Sequence, residues 1–329
     1  MTSVVTERPS DPPDRDAIEA AFRRESRALF SIAYRLTGSA TDAEDVVQET
    51  FVRVLASPPP DRDAPLGPWL TRVAVNLGKD ALRRRKARKY FGPWLPEPLE
   101  EGAPVRVPFA EDAPDLSPGP EARYALSESA SYAFLCALES LGARERTVLV
   151  LRDVVGLDVE ETAAMIGTTA GNVRVIHHRA RSKLVIDEDQ LRAPTDEKRE
   201  RTMRALMQLV AAVGSGEIEA VTRLLSDDCV LETDAAGEFH AVVVRVTDPR
   251  RIAITQIATA QKLVITSSRI AWLNGVASGT GEPALVVDMI PERKRQASRS
   301  VLTIELDSHD RIRAIRGVLA TAKLAHVVP

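Results

Sequence analysis

The sequence predicts a multidomain protein with two all-α helical domains and a C-terminal α+β domain, and three observations support this. Amphipathic helical patterns fill two stretches within the first 186 residues, and a proline-rich, acidic stretch separates them. Beyond residue 203 the apolar spacing changes from helical periodicity to short β-branched runs. Helices followed by several strands are typical of an α+β domain. We therefore place the helical domains at 16–91 and 126–186, the linker at 92–125 and the α+β domain at 197–329.

The composition is that of a soluble globular protein, with 44% hydrophobic and 28% charged residues. A net charge of −3 does not exclude nucleic-acid binding, because a binding surface needs a local positive field and not a positive total. Cys136 and Cys229 lie far apart, without Cys or His at metal-ligand spacing, so we expect no disulfide and no metal site. The N-terminus lacks signal-peptide character and no apolar run reaches membrane-span length. We expect a protein of the reducing cytoplasm that neither binds membranes nor needs a cofactor.

The first helical domain contains a helix with an acidic face. Its start matches a capping box, with Thr41 as the predicted N-cap and Glu44 reaching back. One stripe is apolar and should be buried: Val47, Thr50, Phe51, Val54 and Leu55. Another face carries acids: Asp42, Asp45 and Glu49, with Gln48 beside them. This face can be a solvated surface or a docking surface for a basic partner.

The stretch Trp69–Lys89 is strongly basic. It contains eight Lys or Arg residues and one acid, Asp80, which gives a formal charge of +7. An apolar stripe that includes Leu70, Ala74 and Leu82 makes the helix amphipathic. Such a helix suits a polyanion such as DNA or an anionic membrane, and the alternative is a solvated basic tail.

The second helical domain contains a predicted helix-turn-helix. A helix over 143–155 ends at Gly156, Asp158 caps the next helix, and Thr168 or Thr169 caps a third helix that runs to Leu184. The outward face of the third helix presents Arg174, Val175, His178 and Arg181, flanked by Asn172, His177 and Arg179. This geometry is typical of major-groove recognition. His177 and His178 are adjacent and do not share a face, so we predict no metal site there.

The last segment begins with two helical patterns broken at 214–216. Short β-branched runs follow and predict strands: Val230–Leu231, Val242–Val246, Leu263–Ile270, Leu285–Ile290, Val301–Leu306 and Ile312–Val318.

These elements, in this order, resemble the two conserved regions of extracytoplasmic-function sigma factors, which direct core RNA polymerase to promoter DNA. The stretch Thr41–Phe51 is similar to the region 2 helix that binds the polymerase clamp, which implies this role for Asp42, Glu44, Asp45, Gln48 and Glu49. The stretch from Trp69 to Arg85 is similar to the part of region 2 that recognises the −10 element. The resemblance assigns −10 binding to Arg72, Asn76, Lys79, Asp80, Arg83 and Arg84, and capture of an unstacked base to the loop Ser57–Pro68. The helix-turn-helix resembles region 4, which implies −35 binding by Asn172, Arg174, Val175, His178, Arg179 and Arg181.

The proline-rich stretch Gly92–Pro98 resembles the linker of a subgroup with a SnoaL-like (NTF2-like) C-terminal domain. This resemblance implies that the C-terminal domain packs on the sigma core and controls its activity, with Trp94, Leu95, Pro96, Asp234 and Gly237 as regulatory candidates. The chain departs from the subgroup at two places: it has Asp234-Ala-Ala-Gly-Glu where Asp-Gly-Gly-Gly-Lys is usual, and Ala320-Thr321 where Asn-Pro is usual. The sequence identifies no small-molecule ligand for this domain.

Two other functions remain open from the residues alone. A stand-alone helix-turn-helix regulator would explain both basic helices but would leave the Asp42–Phe51 match unexplained. The second is an enzyme: some NTF2-like proteins are cyclases or isomerases with an acid–base pair, and this resemblance makes Asp234 and His240 the candidates here. We expect both to be surface or loop residues, so we predict no catalytic residues. The energetics favour the sigma factor: opening ~10 base pairs forfeits stacking on the order of 14 kcal/mol, which one small basic domain cannot supply without polymerase.

Overall fold

The computed structural model describes residues 15–57, 65–106, 131–184, 194–274 and 281–329. Most of the loop predicted to capture a −10 base lies outside these ranges, as do residues 107–125 of the linker. Three helices form the first domain: α1 (Arg15–Thr37), α2 (Ala40–Ala56) and α3 (Leu66–Ala87). They bury a common apolar core that includes Leu36 and Val47.

The start of α2 differs from the prediction. The N-cap is Ser39, whose Oγ accepts a hydrogen bond from the Asp42 backbone N–H at 3.0 Å, so the predicted Thr41 cap is wrong by two residues. The predicted buried stripe is also wrong at its end, because Leu55 is 46% exposed and Val46 is buried instead.

The second domain contains α4 (Tyr132–Leu138), α5 (Ala143–Leu149), α6 (Val159–Ile166) and α7 (Ala170–Lys183), and α5 continues as a π-helical turn (Val150–Val154). The predicted caps are confirmed: Asp158 and Glu161 form a reciprocal capping box, and Thr169 caps α7. Gly167 adopts a φ of +68° in the turn between α6 and α7, a conformation that favours glycine. The helix-turn-helix is therefore built as the sequence predicts.

The two helical domains pack against each other. Phe134, Leu138 and Leu149 of the second domain lie in the same buried cluster as Leu36 and Leu70 of the first. Polar bonds across this interface add to the contact and are described below with the basic helix. The basic end of α3 therefore lies against the second domain.

The C-terminal domain is α+β, as predicted. Its elements in chain order are α8 (Asp196–Ser215), α9 (Ile218–Leu224), β1 (Leu225–Asp234), α10 (Pro249–Ala260), β2 (Val264–Leu273), β3 (Glu282–Ile290), β4 (Arg299–Leu306) and β5 (Ile312–Val318), followed by a 3₁₀ turn (Thr321–Leu324). Within the described residues the sheet has five strands in the order β1-β5-β4-β3-β2. β1 and β5 are parallel and the other pairs are antiparallel.

Two details of this domain differ from the prediction. The run Val242–Val246 forms no strand, and only Val246 pairs, in an isolated bridge with Leu231. The prediction also missed α10, although its start carries an ordinary signal: Asp248 caps the helix and Pro249 occupies the first turn.

The sheet separates two apolar layers. One face packs on α8, α9 and α10 through residues such as Leu206, Ile252 and Ile315. Elsewhere Val318 of β5 packs with Leu95 of the linker and Tyr132 of α4. The sheet therefore carries the contacts that join the C-terminal domain to the linker and the second helical domain.

Both cysteines are free thiols, and burial raises the pKa of each to about 12. Among the described residues, no helix combines the length and the apolar character that a membrane crossing requires.

Candidate nucleic-acid interface

The exposed face of α2 mixes acidic and apolar side chains. Asp45, Gln48 and Glu49 are exposed as predicted. They share the helix with two exposed apolar residues, Val52 and Leu55, which are 57% and 46% exposed. Large apolar side chains beside acids are unusual for a purely solvated helix face and favour a protein-docking surface.

Glu44 does not belong to this exposed face. Its side chain is 0% exposed, and it accepts hydrogen bonds from the backbone N–H and the Nε of Arg106, each at 2.6 Å. His326 Nε2 lies 3.3 Å from Glu44 Oε1, the same oxygen that accepts from the Arg106 backbone N–H. Burial alone would raise the pKa of Glu44, but these hydrogen bonds outweigh it and lower the pKa. The sequence predicts Glu44 as part of the capping box, and the resemblance assigns it to polymerase binding. The structure instead buries Glu44 against Arg106 and His326, so it connects α2 to the linker and to the C-terminal segment. Asp42 is also partly buried, and burial raises its pKa.

Some polar and charged side chains of α3 are exposed to solvent, and others form hydrogen bonds within the protein. Four of the six predicted −10 residues are exposed: Arg72, Asp80, Arg83 and Arg84. The other two, Asn76 and Lys79, are partly buried and hydrogen-bonded to each other at 2.9 Å. Arg83 and Asp80 form an exposed ion pair of 3.4 Å, which solvent screens and which DNA can displace.

The next two basic residues turn inward. Arg85 bonds to the Glu139 carboxylate and to the Thr37 carbonyl oxygen, and Lys86 Nζ donates to the Leu141 carbonyl oxygen at 2.5 Å. Glu139 also pairs with Arg146, which is fully buried. The sequence analysis missed this cluster, since Arg85 and Lys86 lie 48 to 55 positions from their partners and no local pattern links them.

The recognition helix α7 exposes Arg174, Val175, His178, Arg179 and Arg181, as predicted. Its N-terminal end is fixed by Asn172, whose Nδ2 donates to Thr168 Oγ1 at 2.8 Å.

Two arginines of α7 are already paired within the domain. Arg174 lies 3.2 Å from Glu160, and Arg181 Nε lies 2.8 Å from Asp153 Oδ2. Asp153 also accepts from His177, at 2.7 Å, and it stands in the π-helical turn after α5. These acids orient the basic face of the helix, and π turns are frequent at functional sites.

The linker forms a strap between the first helical domain and the C-terminal domain; we use strap for residues 90–101. At its centre lies Asp234, which is 0% exposed. Its carboxylate accepts from Lys323 Nζ at 2.6 Å, from the Leu95 backbone N–H at 2.8 Å and from Tyr90 Oη at 2.5 Å. Lys323 Nζ also donates to the Leu95 carbonyl oxygen at 2.5 Å. The expectation that Asp234 is a surface or loop residue is wrong, whereas His240 is exposed as expected.

The other regulatory candidates also contact this site. The ring of Trp94 lies between two cations, with Arg85 Cζ 3.5 Å and Lys323 Nζ 3.7 Å from a ring centroid. The Pro96 carbonyl oxygen accepts from Tyr132 Oη at 2.7 Å. Gly237 adopts a φ of +74° and lies against Phe91. Burial lowers the pKa of Lys323, although the nearby Asp234 opposes this shift.

Two strap glutamates that the sequence analysis missed complete the attachment. Glu97 lies at the N-terminus of α2, where its carboxylate accepts from Ser39 Oγ at 2.8 Å and from the Thr41 backbone N–H at 3.1 Å. Burial raises the pKa of Glu97. Glu100 forms a two-point ion pair with Arg269 of β2, with contacts of 2.5 and 2.9 Å. A proline-rich stretch with acids signals a linker, but nothing local identifies the partners of these acids.

Family comparisons agree with this arrangement. Residues 21–88 match Sigma-70 region 2 and residues 131–184 match Sigma-70 region 4. The fold and its surfaces therefore define a sigma subunit of RNA polymerase. More narrowly, the chain belongs to the extracytoplasmic-function (ECF) RNA polymerase sigma factors. As such it binds core RNA polymerase and promoter DNA and starts transcription.

Individual relatives support this assignment. The chain is 31% identical over 258 residues to the ECF RNA polymerase sigma factor SigJ of Mycobacterium tuberculosis, a match that covers 75% of each chain. It is also 31% identical over 227 residues to the probable ECF sigma factor SigI of the same species, covering 69% of this chain and 71% of that one. The crystal structure of M. tuberculosis SigJ has a TM-score of 0.69 at 24% identity and covers 93% of this chain and 98% of that chain. The C-terminal α+β domain, predicted to be SnoaL-like, is thus part of the shared fold.

Proposed function

We propose that this sigma factor is controlled by its own C-terminal domain, acting through the strap. The observation that carries the proposal is the buried contact of Asp234 with Lys323 and the Leu95 peptide, because it fastens the linker between regions 2 and 4 to the C-terminal domain. The domain acts as a regulator and not as an enzyme. Its candidate catalytic acid, Asp234, accepts hydrogen bonds from four donors, including the Ala236 backbone N–H, and is closed to solvent.

The contacts of region 4 indicate the direction of control. Tyr132 at the start of α4 bonds to the Pro96 carbonyl oxygen of the strap and, through its backbone N–H, to Glu282 of β3 at 2.6 Å. Arg85 and Lys86 of the basic helix are meanwhile engaged by region 4. This closed arrangement keeps the −10 and −35 surfaces on one compact unit. We therefore propose that the C-terminal domain restrains region 4 and that loosening the strap raises promoter use.

We assign the contacts with polymerase and promoter to the surfaces described above. Asp42, Asp45, Gln48 and Glu49 would bind core polymerase, and Glu44 would join them only after Arg106 and His326 release it. The α3 residues Arg72, Asn76, Lys79, Asp80, Arg83 and Arg84 would bind the −10 element. The α7 residues Asn172, Arg174, Val175, His178, Arg179 and Arg181 would bind the −35 element. Because both partners are cytoplasmic, we place the protein there.

In vitro transcription with core RNA polymerase tests this proposal. The double variant Asp234→Asn/Lys323→Met removes both buried charges together, so that neither is left unpaired. The matched control is Glu219→Gln/Arg250→Gln, which removes an exposed ion pair of the same domain. We expect several-fold more transcript from the first variant than from the native protein or the control.

Each other outcome has a distinct meaning. Equal yields from all three proteins would exclude control through the Asp234 site. A lack of transcript and of polymerase binding by the native protein would instead support a stand-alone DNA-binding regulator.

A further inference from the structure

Basic side chains continue from the end of α3 onto the C-terminal domain. The stretch 83–89 reads Arg-Arg-Arg-Lys-Ala-Arg-Lys, and region 4 engages only Arg85 and Lys86 of these. Arg88 and Lys89 are exposed and form no ion pair within the described part of the chain. The β3–β4 hairpin (291–298) adds Arg293 and Lys294, which are also exposed and, among the described residues, without an ion pair.

A chain of contacts makes these two basic segments one surface. Phe91, two residues after Lys89, lies against Gly237, where an added Cβ would come within 3.3 Å of the Phe91 ring. The hairpin is fastened to the same loop, because Arg295 donates to the Gly237 and Glu238 carbonyl oxygens at 2.5 and 3.2 Å. The His240 backbone N–H in turn donates to the Arg295 carbonyl oxygen at 2.8 Å. The hairpin therefore sits one loop away from the end of the basic helix.

Two exposed cations of the hairpin stand beside a turn residue that is tied to the protein. Arg295 has a φ of +61°, a left-handed conformation that an arginine rarely adopts, and its guanidinium donates to the Gly237 carbonyl oxygen. Arg293 and Lys294 directly precede it and are exposed.

Exposed apolar side chains lie within the basic surface. Phe91 is 61% exposed and Val244 is 64% exposed. Exposed aromatic rings on a basic surface are typical of nucleic-acid binding, where cations neutralise phosphates and a ring packs on a sugar or a base. Two acids lie nearby, Glu238 and Glu292. The carboxylate of Glu238 already accepts a hydrogen bond from the Thr321 backbone N–H at 3.2 Å.

We propose that the β3–β4 hairpin and Phe91 extend the promoter-binding surface of α3, so that the C-terminal domain itself contacts the DNA backbone beside the −10 element. The proposal rests on the function proposed for α3. Continuity with Arg83 and Arg84 favours DNA over an anionic membrane or an acidic protein as the partner. The contact between Phe91 and Gly237 joins the end of α3 to the loop that holds the hairpin, so this surface persists when the Asp234 contact loosens and region 4 moves to reach a −35 element.

Salt-dependent promoter binding by the holoenzyme tests this inference. The test variant is Arg293→Gln/Lys294→Gln, and the matched control is Arg204→Gln/Arg223→Gln, which removes two exposed arginines from α8 and α9. Each phosphate contact contributes about 0.9 to the slope of log K against log salt concentration. We expect the test variant to lower the slope by about 1 to 2 and the control to leave it unchanged. A photo-crosslinking amino acid placed at position 294 should label promoter DNA next to the −10 element.

The outcomes separate this inference from the proposed function. If the native holoenzyme fails to bind the promoter, the sigma function itself is wrong. If it binds and the hairpin variant has the native slope, only the hairpin inference is wrong. A loss of affinity for core polymerase or for anionic lipid vesicles, with an unchanged slope, would assign the surface to protein or membrane and overturn the DNA proposal.

Discussion

Lys323 and Asp234 form an ion pair of 2.6 Å from which solvent is almost excluded, and the peptide of Leu95 bonds to both side chains. Lys323 lies five positions after the end of β5, Asp234 is the last residue of β1, and Leu95 belongs to the linker. This ion pair therefore links three segments: the C-terminal 3₁₀ turn, the edge strand β1 and the linker between regions 2 and 4. The pair can fix the closed arrangement only while both charges are present.

The first prediction concerns this pair. Lys323→Met leaves the Asp234 carboxylate buried without its cation, and breaking a buried pair in this way costs about 3–5 kcal/mol. Asp234→Asn/Lys323→Met removes both charges and should recover the part of that loss that comes from the unpaired carboxylate, while the ionic contact with the strap stays lost. Chemical denaturation of the native protein, both single variants and the double variant gives the coupling free energy. A cost below about 1 kcal/mol for Lys323→Met would show that the pair does not stabilise the closed state.

The second prediction tests the cap of α2. Ser39→Ala removes the side-chain acceptor for the Asp42 N–H and the donor to Glu97, so we expect a loss of stability of about 1–2 kcal/mol. Thr41→Ala is the matched control, because Thr41 contributes only its backbone N–H to Glu97. Thermal unfolding of both variants compares them directly. An equal effect of the two substitutions would contradict the assignment of Ser39 as the cap.

Local sequence signals were sufficient to predict most of the structure of the helical domains. Asp158, Gly167 and Thr169 specify the helix-turn-helix through caps and a turn that depend on neighbours within four residues. The exposed faces of α3 and α7 follow from helical periodicity alone. The helical patterns of α8 and α9 and the β-branched runs of most strands are also local signals, so the existence of these elements could be predicted.

The errors arise where a distant partner decides the outcome. Glu44 and Asp234 look like surface acids in sequence, but Arg106 and Lys323, 62 and 89 positions away, satisfy their charges inside the protein. The strand predicted at Val242–Val246 has strong β propensity, yet the loop containing it packs on the strap at Gly92 instead of joining the sheet. β propensity depends on such packing, so sequence alone could not exclude the strand.

The third prediction is a pH dependence that arises from Glu282. Burial raises the pKa of this carboxyl above its usual value of about 4.5, so the folded protein favours the neutral form. The stability that this group contributes is complete below the unfolded pKa and is lost as the pH rises through the raised folded pKa. Glu282→Gln stays neutral and still offers an oxygen to the Tyr132 N–H.

Denaturant midpoints measured from pH 4 to pH 8 check this expectation. The variant should gain stability relative to the native protein as the pH rises, and at neutral pH it should be at least as stable. Glu49→Gln, on an exposed carboxylate of α2, serves as the control. A difference between the native protein and Glu282→Gln that stays constant with pH would show that Glu282 titrates as an ordinary carboxyl.

The fourth prediction concerns recognition of the −35 element by Arg174. Its guanidinium is exposed on α7 and is held only by a surface ion pair with Glu160, which DNA can replace at little cost. Arg174→Ala should weaken binding of the holoenzyme to its promoter by about 1–3 kcal/mol and relax the preference at one base pair. Lys183→Ala, which removes a cation near the end of the same helix, should weaken binding equally across sequences if Lys183 contacts only phosphate. Competition between promoters with single substitutions in the −35 element separates the two effects, because only loss of a base contact makes the affected position tolerant. An unchanged sequence preference of the Arg174→Ala protein would show that Arg174 does not read a base. The remaining candidates would then be Asn172, Val175, His178, Arg179 and Arg181.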